Sequence, residues 1–223
     1  MNRYALIVAG GTGTRMGTDI PKQFLELAGK PVLMHSIERF RSYDETIRII
    51  VVIPESQFEL WDSLKEKYSF TVSHTLVKGG SSRFFSVKNG LREVEDNSIV
   101  AIHDGVRPLV TTDTIARCFR TAMEFGNAIP VINSSDSVRM VTEHGNIPVN
   151  RHRLKIIQTP QVFNAGLIKK AYLREFSPEY TDDAMLLETT GEIIHLVEGN
   201  RENIKITNPE DLTIAGALFN TIF

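Results

Sequence analysis

Short apolar runs alternate with segments whose apolar positions recur every three or four residues, and this alternation sets the expected architecture. The β-rich runs span residues 4–8, 47–53, 70–76, 98–103, 127–132, 154–158 and 192–197. Between them, Leu33/Ile37/Phe40, Phe84/Val87/Leu91/Val94 and Ile115/Phe119/Ala122/Met123 fall at helical spacing and are expected to face the core. A last helix is expected with Asn208 as N-cap, Pro209 in the first position and Glu210-Asp211 against the positive end of the helix dipole. Strand and helix in alternation predict an α/β fold whose parallel sheet is covered on both faces.

Residues 134–153 break that rhythm. They are polar and carry the turn signal His144-Gly145-Asn146 between Val138, Met140 and Val141 on one side and Ile147 and Val149 on the other, which predicts a projecting hairpin. Such an arm has too little core of its own and is expected to pack on another surface. No composition shift, low-complexity tract or repeat divides the rest, so a single domain over 1–223 is expected, with the arm at about 134–153.

Composition narrows the function classes. With 42% hydrophobic and 23% charged residues, the chain can bury a substantial core, and a net charge of −2 gives no polyanion-binding surface, so no nucleic-acid partner is expected. Cys118 is the only cysteine, which excludes an internal disulfide framework, suits a reducing compartment and is read as a buried small apolar residue. No stretch approaches the roughly 18 apolar residues of a membrane span, and the N-terminal pattern is not that of a signal peptide. A cytoplasmic protein with no membrane partner is expected.

The candidate chemistry begins at residues 9–22, Ala-Gly-Gly-Thr-Gly-Thr-Arg-Met-Gly-Thr-Asp-Ile-Pro-Lys, directly after the strand Tyr4-Ala5-Leu6-Ile7-Val8. Gly10, Gly11 and Gly13 can turn sharply and bare their N–H groups to an anion, while Arg15 and Lys22 bring mobile positive charge to the same oxygens. A nucleoside triphosphate is the expected ligand. The loop is no P-loop, because Gly17 is followed by Thr18-Asp19 rather than Lys-Ser/Thr. It also misses the dinucleotide fingerprint by one residue, and Pro21 disfavours a helix at Ile20.

Further motifs follow in order: Pro21-Lys22-Gln23, Gly79-Gly80-Ser81-Ser82-Arg83-Phe84-Phe85-Ser86-Val87, His103-Asp104-Gly105-Val106-Arg107-Pro108, Thr159-Pro160-Gln161, Thr181-Asp182-Asp183-Ala184, Val197-Glu198-Gly199 and Asn203-Ile204-Lys205-Ile206-Thr207. Together they resemble the 2-C-methyl-D-erythritol 4-phosphate cytidylyltransferases of the non-mevalonate isoprenoid pathway, over nearly the whole chain. The resemblance implies a Rossmann-like nucleotidyltransferase fold, a mostly parallel sheet with a projecting β-arm that exchanges across a homodimer. It implies transfer of CMP from CTP to a polyol phosphate, with Mg2+. Arg15, Lys22 and Lys205 match the catalytic cations; Ala9, Gly10, Gly11, Gly13, Gly80, Ser81, Ser86 and Gly105 match the nucleotide site, with Arg83 organising its loop. Asp104 matches the magnesium-side aspartate, and Asp104, Arg107, Ser137, Arg151 and Thr181 match contacts to the acceptor, Ser137 and Arg151 arriving from the partner's arm. His103 is expected to be structural.

The chain departs from the family pattern in Ala9-Gly10-Gly11 for Ala-Ala-Gly, in Gly105-Val106 for Ala-Ala and in Ser137 for threonine. Because the Ala-Gly-Gly opening also occurs in ribitol 5-phosphate cytidylyltransferases, that acceptor is the alternative. A non-catalytic nucleotide-binding module is the alternative from another class.

Overall fold

The first apolar run forms β1 (Asn2–Val8), which lies inside an eight-stranded sheet in a computed structural model describing residues 1–10 and 20–222. Its parallel neighbours are β4 (Arg48–Ile53) and β6 (Ser98–Asp104), with β5 (Thr75–Lys78) parallel beyond β4. On the other flank lie β7 (Asn127–Asn133), β10 (Lys155–Ile157), β11 (Gln161–Asn164) and β12 (Leu196–Glu198), giving the order β10-β7-β11-β6-β1-β4-β5 with β12 paired to β7. Two further hairpins stand apart: β2 (Glu26–Leu27) with β3 (Lys30–Pro31), and β8 (Val138–Thr142) with β9 (Gly145–Val149).

Side chains along a strand point alternately to opposite faces, and the apolar runs here are continuous because both faces are buried. Ala5 and Ile7 join Leu33, Ile37 and Phe40 of α1 (Val32–Tyr43), Trp61 of α2 (Phe58–Lys67) and Phe119 of α4 (Thr112–Phe125) in one core. Tyr4, Leu6 and Val8 join Phe84 and Val87 of α3 (Arg83–Gly90), Ile168 of α5 (Ala165–Ala171) and Leu187 of α6 (Asp183–Glu188) in the other. A smaller cluster docks α7 (Pro209–Ile222) through Ala215 on Leu27, Val106 and Ile206. Trp61 is fully buried, stacks on Phe24 at 6.0 Å between ring centroids and donates its indole N–H to His74 Nε2 at 3.0 Å.

Several expectations shift. The strand expected over 70–76 is displaced to Thr75–Lys78, while Phe70 and Val72 pack on the core from outside it. The 192–197 run contracts to Leu196–Glu198, and Ile193 is exposed. Met123 also faces solvent, since at about 100° per residue it lies off the stripe of Ile115, Phe119 and Ala122. At the last helix, the Asp211 carboxylate accepts the N–H groups of Thr207 and Asn208, each at 2.8 Å.

The antiparallel β11 was not expected. It continues β10 along β7 with a break: five steps from Ile157 to Val162 face three from Val131 to Ala128. Gln158, Thr159, Pro160 and Gln161 thus face only Pro130 and Ile129, and the two surplus residues bulge the chain around Thr159 at the sheet edge where Asp104 ends β6. The arm forms as expected, its strands in register from Val138↔Val149 to Thr142↔Gly145, and they pair only with each other among the described residues.

Candidate active site

Register brings the site together. Val8 is level with Val52 and Asp104, so β1, β4 and β6 end on one line, and the chain continues from each into a loop. Backbone bonds stitch these exits: Ala9 N–H to Val52 O, Gly79 N–H to Ile53 O and Gly105 N–H to Val8 O, each at 2.8–2.9 Å. This C-terminal edge is where an open α/β sheet presents ligands.

A cavity of about 250 Å3 opens there, lined by Ala9, Gly10, Lys22, Gly80, Ser81 and Asp104 among others. Lys22 begins a short 3-10 turn, Lys22–Phe24, entered from Pro21 at φ −56°. The glycine-serine loop is tied from below by one hydroxyl: Ser86 Oγ accepts the Gly80 N–H at 3.0 Å and donates to Ser82 O at 2.9 Å. Ser82 in turn caps α3. A Cβ on Gly80 would lie 2.3 Å from Phe85 Cβ and 2.8 Å from its carbonyl carbon, so only glycine lets the loop approach the helix this closely.

A second cavity, about 260 Å3, lies on the other side of Asp104 and is lined by Arg107, Gln158, Thr159, Gln161, Thr181 and Asp182. Arg83, Asp104 and Lys205 line both cavities and form their common wall. Asp104 Oδ2 meets Lys205 Nζ at 2.9 Å and Arg107 Nε at 3.5 Å, while Oδ1 meets Arg83 Nε at 3.4 Å. Burial alone would raise the Asp104 carboxyl, but the charges of Arg83, Lys205 and Arg107 hold it well below the usual carboxylate range. Arg83 is gripped from behind by the fully buried Asp183, at 3.1 and 2.7 Å in a bidentate pair, and the Tyr172 hydroxyl donates to Asp183 at 2.5 Å. Burial opposes the guanidinium charge, yet Asp183 and Asp104 raise its pKa well above the ordinary value. Lys205 is set beside Asp104 by its neighbour, since Ile206 N–H donates to Val106 O at 2.9 Å.

Of the residues expected at the site, Ala9, Gly10, Lys22, Gly80, Ser81 and Ser86 line the first cavity, Arg107 and Thr181 the second, and Asp104 and Lys205 both. Gly105 lines neither; its α-carbon faces Ala9, Leu33 and Ile7 in the core, where a Cβ would meet the first two at 2.9 Å. Ser137 and Arg151 also line neither cavity, and Arg151 donates to Ser135 O within the arm at 2.8 Å. Gly11, Gly13 and Arg15 lie outside the described residues. Sequence reasoning gave Arg83 only a loop-organising part and assigned nothing to Asp183, Tyr172 or Thr159. Asp183 and Thr159 sit inside the quoted motifs, whereas Tyr172 carries no local signal. Among the described residues no three His, Cys, Asp or Glu side chains gather to hold a metal. The donor set at Asp104 is a single carboxylate, which suits an ion that completes its shell with water and substrate phosphates.

A mostly parallel sheet whose strand ends carry a glycine loop, a carboxylate and converging cations defines a Rossmann-like nucleotidyltransferase. Residues 4–221 match the family model described as IspD, 2-C-methyl-D-erythritol 4-phosphate cytidylyltransferase. The enzyme of that name from Bacteroides fragilis is 52% identical over 218 residues, 98% of this chain and 100% of the relative. The crystal structure of 4-diphosphocytidyl-2C-methyl-D-erythritol synthase from Anaerococcus prevotii superposes with a TM-score of 0.84 at 29% identity, covering 98% of this chain and 96% of its own. That of the cytidylyltransferase from Thermus thermophilus gives 0.80 at 28% identity, over 99% and 100%. The chain belongs to the 2-C-methyl-D-erythritol 4-phosphate cytidylyltransferase family.

Proposed function

We propose that this enzyme transfers CMP from CTP to 2-C-methyl-D-erythritol 4-phosphate, releasing pyrophosphate and 4-diphosphocytidyl-2-C-methyl-D-erythritol in isoprenoid precursor biosynthesis. The observation that carries the site assignment is the common wall: two cavities of similar size meet at Arg83, Asp104 and Lys205. In this reading the first cavity takes CTP and the second the acceptor, so the attacking phosphate oxygen meets the α-phosphorus at the wall. That oxygen is already ionised at neutral pH, and no general base is needed. The barrier is charge repulsion and alignment, which fixed cations lower most effectively. Arg15 and Lys22 take the triphosphate, Lys205 and Arg107 the acceptor phosphate, and Thr181 an acceptor hydroxyl. Gly80 and Ser81 face the nucleoside, with Ser86 holding their loop. Asp104 would hold magnesium, and the ion would neutralise triphosphate charge.

The reading includes a cytoplasmic homodimer in which each arm brings Ser137 and Arg151 to its neighbour's acceptor cavity. Its support is the isolation of the β8–β9 hairpin and the exposure of Met140, Val141 and Ile147 on it. Ribitol 5-phosphate is the disfavoured acceptor, because relatives at 50–52% identity carry the methylerythritol phosphate name. Pyrophosphate release with CTP tests the choice: turnover is expected with methylerythritol 4-phosphate, and turnover confined to ribitol 5-phosphate overturns it.

A further inference from the structure

The turn after β6 carries two site side chains, Asp104 and Arg107, on a stretch of four residues closed by Arg107 N–H to Asp104 O at 3.0 Å. Gly105 N–H goes to Val8 O, Gly105 O takes the Ser36 hydroxyl at 2.9 Å and Val106 O takes Ile206 N–H. The two remaining ends, Asp104 N–H and Arg107 O, are held by side chains. Asp104 N–H donates to Thr159 Oγ at 3.1 Å, and His103 Nε2 lies 3.0 Å from Arg107 O.

Chemistry fixes the direction of each bond. A carbonyl oxygen only accepts, so His103 Nε2 carries the proton. In the neutral ring Nδ1 is then an acceptor, and the Thr159 hydroxyl donates to it across 3.0 Å while its lone pair receives Asp104 N–H. The chain of bonds continues past the bulge. Asn203 Nδ2 donates to Thr159 O at 2.8 Å, and Asn203 O accepts Arg107 Nη1 at 2.7 Å. His103, Thr159, Asn203 and Arg107 thus close a ring of hydrogen bonds that grips Arg107 by its carbonyl and by its guanidinium. His103 and Asn203 have no exposed surface and Thr159 only 6%.

We propose that His103 and Thr159 are positioning residues: their hydrogen bonds across the bulge set the Asp104–Arg107 turn, and through it the Arg107 guanidinium, for the acceptor. This rests on the reading of the second cavity as the acceptor site. The ring holds the Arg107 guanidinium directly and meets the first cavity only through the backbone N–H of Asp104, so its loss acts chiefly on the acceptor. Thr159→Val keeps the shape and removes both hydroxyl bonds; because these act on the acceptor only through Arg107, KM for methylerythritol 4-phosphate is expected to rise about tenfold, with KM for CTP within about twofold. Thr159→Ser should restore the acceptor KM. In 15N-labelled wild-type enzyme, the His103 ring should give the shifts of a neutral Nε2–H tautomer. An Nδ1–H tautomer, equal changes in both KM values, an unchanged acceptor KM in Thr159→Val, or no rescue by serine would overturn the proposal. Arg107→Ala separates the underlying reading: an unmoved acceptor KM there removes the acceptor assignment, and the tautomer then decides whether the ring exists.

Discussion

Asp183 is the residue on which the common wall depends most. Its carboxylate is fully buried and answers the Arg83 charge from behind, with Tyr172 filling a further lone pair. Removing one member of a buried pair strands the other, so Asp183→Ala should lose about 3 kcal/mol of stability. Urea unfolding measures this; a midpoint unchanged from wild type would mean Arg83 draws its support from Asp104 alone. At this scale the sequence was readable where chemistry is carried by loops and glycine. Lys22, Gly80, Asp104 and Lys205, each carried by a motif, all line one cavity. Asp183 was not, because a second acid in Thr181-Asp182-Asp183 is indistinguishable from a helix cap until burial is known; Asp182 is the cap, accepting Met185 N–H at 2.9 Å. Gly105 is ambiguous for the same reason, since a small residue beside Asp104 fits a ligand or a packed core equally well.

Among the elements, the glycine-serine loop and the arm carry the clearest consequences. Gly80→Ala forces the loop off α3 or the helix off the sheet, because the intruding methyl meets backbone as well as side chain. KM for CTP should rise roughly tenfold with little change for the acceptor; equal change in both would show general loosening. The arm is tested by mixing. Arg151→Ala and Lys22→Ala chains should each be inactive, while their heterodimer holds one pocket with both residues, giving about half the wild-type rate per dimer if the arm is shared as proposed. Mixed dimers that stay inactive would confine the arm to its own subunit. Helices α1, α3, α4 and α7 were legible from their stripes or caps, but α5 and α6, of 7 and 6 residues, are too short to display a period. The strand β11 was hidden because only Val162 and Phe163 in it are apolar, and its place is set by β6 and β7 on either side.

Across the whole molecule, buried histidines link folding to pH. Burial lowers the pKa of His35 and His74, and pushes His103 from 6.5 to about 4. The unfolded chain therefore takes up protons first as pH falls, so the stability contributed by these neutral rings is full above about 6.5 and declines below it, for His103 down to about 4. Asp104, held low by its cations, acts in the same direction at lower pH. His103 alone should cost about 2 kcal/mol between pH 7.5 and 5, seen as a lower urea midpoint; a flat profile would mean His103 titrates normally in the fold. The general architecture was legible because a sheet buried on both faces writes itself as continuous apolar runs. The turn from parallel to antiparallel pairing was not, since it depends on a bulge at Gln158–Pro160 that no local pattern announces.

The stack of Trp61 on Phe24 makes the protein its own optical probe. Phe24 closes the short turn that Lys22 opens, and Gln23 between them donates to Gln57 at 2.8 Å, just before the helix that carries Trp61. With one tryptophan in the chain, emission excited at the indole band comes from a single place, behind the Lys22–Phe24 turn of the cavity proposed for the nucleotide. Titrating CTP should shift or quench that emission along a saturable curve, whereas methylerythritol 4-phosphate, proposed to bind on the far side of Asp104, should leave it flat. A response to the acceptor and none to the nucleotide would reverse the assignment of the two cavities without any measurement of turnover.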